Sequence, residues 1–158
     1  MALVRILVDG YSLLHVWEKL APGKPRFSAS AREELVGRLT QYHDACGTPI
    51  TVVFDGASRA HNSSPFPSTP GMEIIYSRAG QSADQLIERV AHRLIGFGEV
   101  LVVTDDLAER DTVVSAGAMF SSCLGFIQTV ETALADLAQQ LKKLNRNERV
   151  KFHRSHQD

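Results

Sequence analysis

Five short apolar runs punctuate this chain: "LVRILV" from Leu3, "ITVVF" from Ile50, "MEIIYS" from Met72, "EVLVVT" from Glu99 and "AMFSS" from Ala118. They are nearly unbroken rather than alternating, as strands covered on both faces must be. Helical patterns separate most of them. Ser30 and Glu33 have the spacing of a capping box, after which Leu35, Leu39, Tyr42 and Cys46 line one face until Gly47 closes the helix. Ser82 and Gln85 repeat that spacing ahead of Leu86, Ile87, Val90, Ala91, Leu94 and Ile95. A shorter helix is predicted from about Leu107 to Ala116. A long one then carries Leu124, Ile127, Val130, Leu134, Leu137, Leu141 and Leu144 at threes and fours. Strands alternating with helices predict an α/β fold, a three-layer α/β/α sandwich on a mainly parallel five-stranded sheet.

With 158 residues, 44% of them hydrophobic, the chain suffices for one sizeable core. The expected division is one domain over residues 1–144 and a frayed basic tail over 145–158, "NRNERVKFHRSHQD". Its cations, with Lys142 and Lys143, make it a candidate for added RNA affinity. The formal net charge of −1 makes the molecule no general magnet for nucleic acid, so such binding needs a local basic patch. Cys46 and Cys123 form no C-x-x-C pair, which argues against a zinc site or a disulfide framework. "MALVRILVDG" lacks the pattern of a secretory leader, and no stretch approaches membrane-spanning length, so a cytoplasmic protein with no membrane partner is expected. The Ser/Pro-rich stretch Ala57–Gly71 is long for a loop in a compact domain, and such loops are often functional.

In an open α/β sheet, ligands bind beyond the carboxyl ends of the strands. Asp9 ends the first run, Asp55 the second and Asp105-Asp106 the fourth; Asp84 lies in the first turn of the helix that Ser82 caps, and Asp111 follows Asp106 by five residues. Two ionised carboxylates about 4 Å apart repel by roughly 4 kcal/mol at an effective dielectric of 20, so converging acids need a cation or a proton. Oxygen donors without His or Cys suit Mg²⁺ or Mn²⁺. Metal-dependent phosphodiester hydrolysis is the chemistry such a rim supports best.

"VDGYSLLHVW", "AREELVGRLTQY", "VVFDG", "MEIIYS…QSADQLIERVA" and "VLVVTDDLAERDTVVSAGAMFSS" together resemble, in order and spacing, the YacP-type NYN domain family of the PIN-like nuclease superfamily. The resemblance spans about Leu3 to Ala133. It implies a PIN-like fold, an acidic Mg²⁺ or Mn²⁺ site, and endoribonuclease activity on RNA. Carried over residue by residue, Asp9, Asp84 and Asp106 match the family's acids, and Asp105 adds one where the family usually has serine. Ser12 replaces the asparagine of the usual "DGYN", while Leu107 and Arg110 depart from the aromatic and glutamine common after Asp106. The catalytic candidates are therefore Asp9, Asp84 and Asp106, with Asp105 as a further metal ligand. Ser12, Asp55, Glu88, Thr104 and Asp111 are supporting candidates. Arg32, Arg59, His61 and Arg78 are candidates for contact with RNA, single-stranded or structured, and the ribosome is a candidate partner.

Two other readings fail on specific residues. A receiver domain needs an acid pair after its first strand and a lysine after its last, but Asp9 is followed by Gly10 and "AMFSSC" has no lysine. A haloacid-dehalogenase-type phosphatase needs a second Asp two residues after the first, where Tyr11 stands. The rival that survives is a PIN-like module that binds RNA or a ribonucleoprotein and cuts weakly.

Overall fold

A computed structural model describes residues 3–56 and 69–155, with side chains through residue 151. The strands are β1 (Leu3–Asp9), β2 (Ile50–Phe54), β3 (Met72–Tyr76), β4 (Glu99–Val103) and β5 (Met119–Ser121). They form one sheet in the order β3-β2-β1-β4-β5, and every pairing is parallel. The helices are α1 (Gly10–Val16), α2 (Ala29–Cys46), α3 (Ala83–Leu94), α4 (Leu107–Ser115) and α5 (Cys123–Ser155), with a 3₁₀ turn at Ile95–Phe97. Arg59 and His61 lie outside the described residues, as does most of the Ser/Pro-rich stretch.

Strand alternation divides the interior into two cores. Ile6, Val8, Ile50, Val52, Phe54 and Val103 point to α1, α2 and α5, packing on Leu13, Leu35, Leu39, Phe126 and Val130. Leu7, Val53, Val100 and Val102 point the other way, to Ile87 and Ala91 of α3 and Val113 of α4. Both faces being covered explains the unbroken apolar runs. A polar chain crosses the second face: Arg5 Nη1 donates to Thr51 Oγ1 at 3.0 Å, and Thr51 Oγ1 donates to Glu73 Oε1 at 3.1 Å, so the fully buried Thr51 is satisfied.

Two helix boundaries differ from expectation. The N-cap of α2 is Ser28, whose side chain accepts from Ala31 N–H; Ser30 lies inside the first turn. Gly47 closes α2 in the left-handed conformation at φ 78°, and the Ser82–Gln85 capping box is complete. The second difference is α5, which does not fray at Asn145 but continues as helix to Ser155. Lys, Arg, Gln, Glu and Leu are strong helix formers, and they sustain it without a core to pack on.

Candidate active site

The sheet order places the crossover between β1 and β4 at its centre, where an open α/β sheet forms its ligand crevice. Asp9 stands there as the last residue of β1 and the N-cap of α1. Its carboxylate accepts from Ser12 N–H at 3.3 Å. Gly10 follows because a Cβ at that position would run into the ring of the buried Phe54. The chain can therefore turn from strand to helix only at a residue without a side chain, and that turn holds Asp9 at the rim.

Asp84 reaches the same place from the first turn of α3. The third member is Glu109, in the first turn of α4 and 2% exposed. One carboxylate oxygen from each of Asp9, Asp84 and Glu109 lies within 4.8 Å of the other two. Thr104, fully buried at the end of β4, donates its hydroxyl to Glu109 Oε2 at 2.8 Å. Glu109 Oε1 is buried with no hydrogen-bond partner. Among the described residues, no Lys, Arg or His forms an ion pair with any of the three.

The electrostatics follow from that geometry. Burial pushes Asp9 up to about 6; the Ser12 hydrogen bonds pull it down, and the neighbouring Asp84 adds to the rise. Glu109 is pushed well above the usual carboxylate range, chiefly by burial and then by Asp84, against the lowering effect of Thr104. Without a cation the cluster retains protons. Three oxygen donors, one of them unpartnered and buried, fit a hard divalent ion such as Mg²⁺ or Mn²⁺, with Asp9, Asp84 and Glu109 as its holders.

The other sequence candidates are placed around this group. Asp106 is the exposed N-cap of α4, its Oδ1 accepting from Ala108 N–H at 2.9 Å and Glu109 N–H at 3.1 Å. It thereby fixes the helix turn that presents Glu109. Asp105 Oδ1 accepts from Cys123 N–H at 2.9 Å, tying the rim to the start of α5. Asp55 Oδ1 accepts from Ser77 Oγ at 3.3 Å beyond β2. Glu88 is half-buried one turn after Asp84, in a groove between α3 and α4 of about 430 Å³. Asp111 is exposed and pairs with Arg110 at 3.1 Å. Arg32 is buried, with Nη1 donating to the Phe27 carbonyl at 2.9 Å. Arg78 is exposed and lines a cleft of about 550 Å³ with Gln81 and Arg89.

Glu109 is the residue the sequence reading passes over. Asp106 and Glu109 have capping-box spacing, which disguises the acid as a helix-start residue. The box does not close: Asp106 N–H donates to Thr104 Oγ1 at 3.1 Å, which leaves Glu109 to the cluster. The available clue was a threonine at a strand end five residues before a glutamate, at the central crossover.

Comparison with known proteins agrees with this architecture. The chain is 26% identical over 140 residues to a protein of Bacillus subtilis (strain 168) described as "Uncharacterized protein YacP", covering 88% of this chain and 82% of that one. The crystal structure of Rae1 (YacP) from Bacillus subtilis superposes with a TM-score of 0.76 at 26% identity, over 94% of this chain and 84% of that chain. A mutant form of that protein gives 0.72 at 27% identity, over 89% and 83%. The YacP-like NYN domain family model matches residues 6–157. A YacP-like NYN domain is thus what this chain folds into, and it belongs to that family.

Proposed function

We propose that this protein is a divalent-metal-dependent endoribonuclease that hydrolyses RNA phosphodiester bonds at Asp9, Asp84 and Glu109. The observation that carries the reading is the trio itself: three carboxylates converge at the sheet's central crevice, without a cation from the described residues to neutralise them. The family supports RNA as substrate through its place in the PIN-like nuclease superfamily. A Mg²⁺ or Mn²⁺ ion supplies charge stabilisation on a phosphodiester and acidifies water.

The protein's own groups prepare that chemistry. Ser12 N–H holds the Asp9 carboxylate, and Thr104 holds one oxygen of Glu109. Asp106 fixes the first turn of α4, and Asp105 anchors α5 against the rim. Arg78, exposed in the cleft beside the start of α3, offers a phosphate contact. Among the described residues no helix is long and apolar enough to cross a membrane.

The purified chain, incubated with assorted RNAs, is expected to cut in Mn²⁺ or Mg²⁺ and not in EDTA. Asp84→Asn should lose that cleavage while keeping its far-ultraviolet circular dichroism. Full activity in Asp84→Asn would overturn the assignment. RNA binding by the wild type with no cleavage in either metal would favour a binding module instead.

A further inference from the structure

The second half of α5 has no role in the site just described. Residues 138–151 are all exposed, although the helix is unbroken. Lys142, Lys143, Arg146, Arg149 and Lys151 stand against Glu148 alone over residues 141–151. This stretch is therefore net +4, which leaves −5 for the remainder of a chain whose total is −1. Lys142, Arg146 and Arg149 have i, i+4, i+7 spacing and share one face. An acidic body that must hold a polyanion carries its excess positive charge on one projecting helix.

We infer that this half of α5 is an arm that docks on the phosphate backbone of RNA at a distance from the cleavage site. The inference rests on the RNA-cleaving reading above and adds the interaction surface. Its reach follows from helix geometry. Cys123 is tied to the rim through Asp105, and at 1.5 Å per residue Lys142 and Lys151 lie about 28 and 42 Å along the axis from it. A-form RNA rises by roughly 2.8 Å per base pair, so the arm meets duplex RNA about 10–15 base pairs from the rim. The opposite face of the arm shows Leu141 and Leu144, 51% and 59% exposed. Two leucines fall far short of the roughly 1,200 Å² a stable protein interface buries, so a second copy is the weaker occupant.

The test compares the triple variant Lys142→Gln, Arg146→Gln, Arg149→Gln with a control of equal charge change, Lys19→Gln, Lys24→Gln, Arg93→Gln. Binding is measured in EDTA against salt, so that it does not depend on cleavage. On a long structured RNA the arm variant should lower the log–log salt slope by about 2–3, at roughly 0.7 per single-strand and 0.9 per duplex contact. The wild type should therefore lose about 16- to 40-fold more affinity than the arm variant between about 50 and 200 mM salt. An oligonucleotide of about four residues can contact the arm or the rim but not both, so the wild type should hold it far more weakly than the long RNA. The control should match the wild type on both RNAs. Equal slopes for wild type and arm variant, equal effects of the two triple variants, or loss of a dimer without loss of RNA binding would each overturn the arm. Arm-dependent binding in a protein that cuts no RNA would instead overturn the nuclease reading and leave the arm standing.

Discussion

Thr104 uses its hydroxyl twice, donating to Glu109 Oε2 at 2.8 Å and accepting from Asp106 N–H at 3.1 Å. Valine is close in shape but can do neither. Thr104→Val would remove the hydrogen bond to Glu109 Oε2 and leave that buried oxygen unsatisfied beside Asp84. An unsatisfied buried polar group costs about 1–3 kcal/mol. At roughly 2–4 °C per kcal/mol for a chain of this size, differential scanning calorimetry should show the metal-free variant melting several degrees lower. Thr104→Ser, which restores the hydroxyl, should recover most of the loss. A Thr104→Val protein as stable as its parent would show that the hydroxyl does not hold Glu109.

At the level of elements, the turn from β1 into α1 depends on the close approach of Gly10 to Phe54. That ring is fully buried and packed between Tyr11 and Tyr76, with centroids at 5.1 and 5.5 Å, so it has little room to yield. Gly10→Ala should therefore cost about 1–3 kcal/mol by overpacking and lower the melting temperature accordingly. An unchanged melting temperature would show that the ring gives way freely. The same turn shows how much was legible in the sequence. The five strands were readable because two-sided burial writes itself as unbroken apolar runs, and Asp9 and Asp84 because strand ends and capped helix starts are local signals. The same local signal makes Asp106 a candidate metal-site acid; in the structure its Oδ1 caps α4. Glu109 was not readable, because its partner is set by whether Thr104 or Glu109 satisfies Asp106 N–H, a choice made in three dimensions. Ser28 and Ser30 are both competent caps, and only the extended backbone at Ser28 (φ −70°, ψ 165°) decides between them. The expectation of a frayed basic tail fails because charged helix formers at a solvated end keep the helix.

For the whole molecule, the acids couple metal binding to stability. Asp9 and Glu109 are raised in the folded state above their ordinary values of 3.8 and 4.5. The folded protein therefore binds protons more tightly than the unfolded chain. Their contribution is fully present below about pH 4 and is lost as pH rises through 6 for Asp9 and beyond it for Glu109. Metal-free protein should accordingly melt at a lower temperature at pH 8 than at pH 5. Glu109→Gln should flatten that fall and melt at or above the metal-free parent at pH 8. A variant with the parent's full pH dependence would remove Glu109 from the coupled group.

The most direct measurement of the central claim, that Asp9, Asp84 and Glu109 hold one divalent ion, is calorimetric titration of Mn²⁺ into the full chain at pH 8. The wild type should bind one equivalent, and Asp9→Asn, Asp84→Asn and Glu109→Gln should each weaken it at least tenfold, a loss of about 1.4 kcal/mol. Asp136→Asn, an exposed acid on α5, should bind as the wild type does. Wild-type Mn²⁺ affinity in Glu109→Gln would contradict the account.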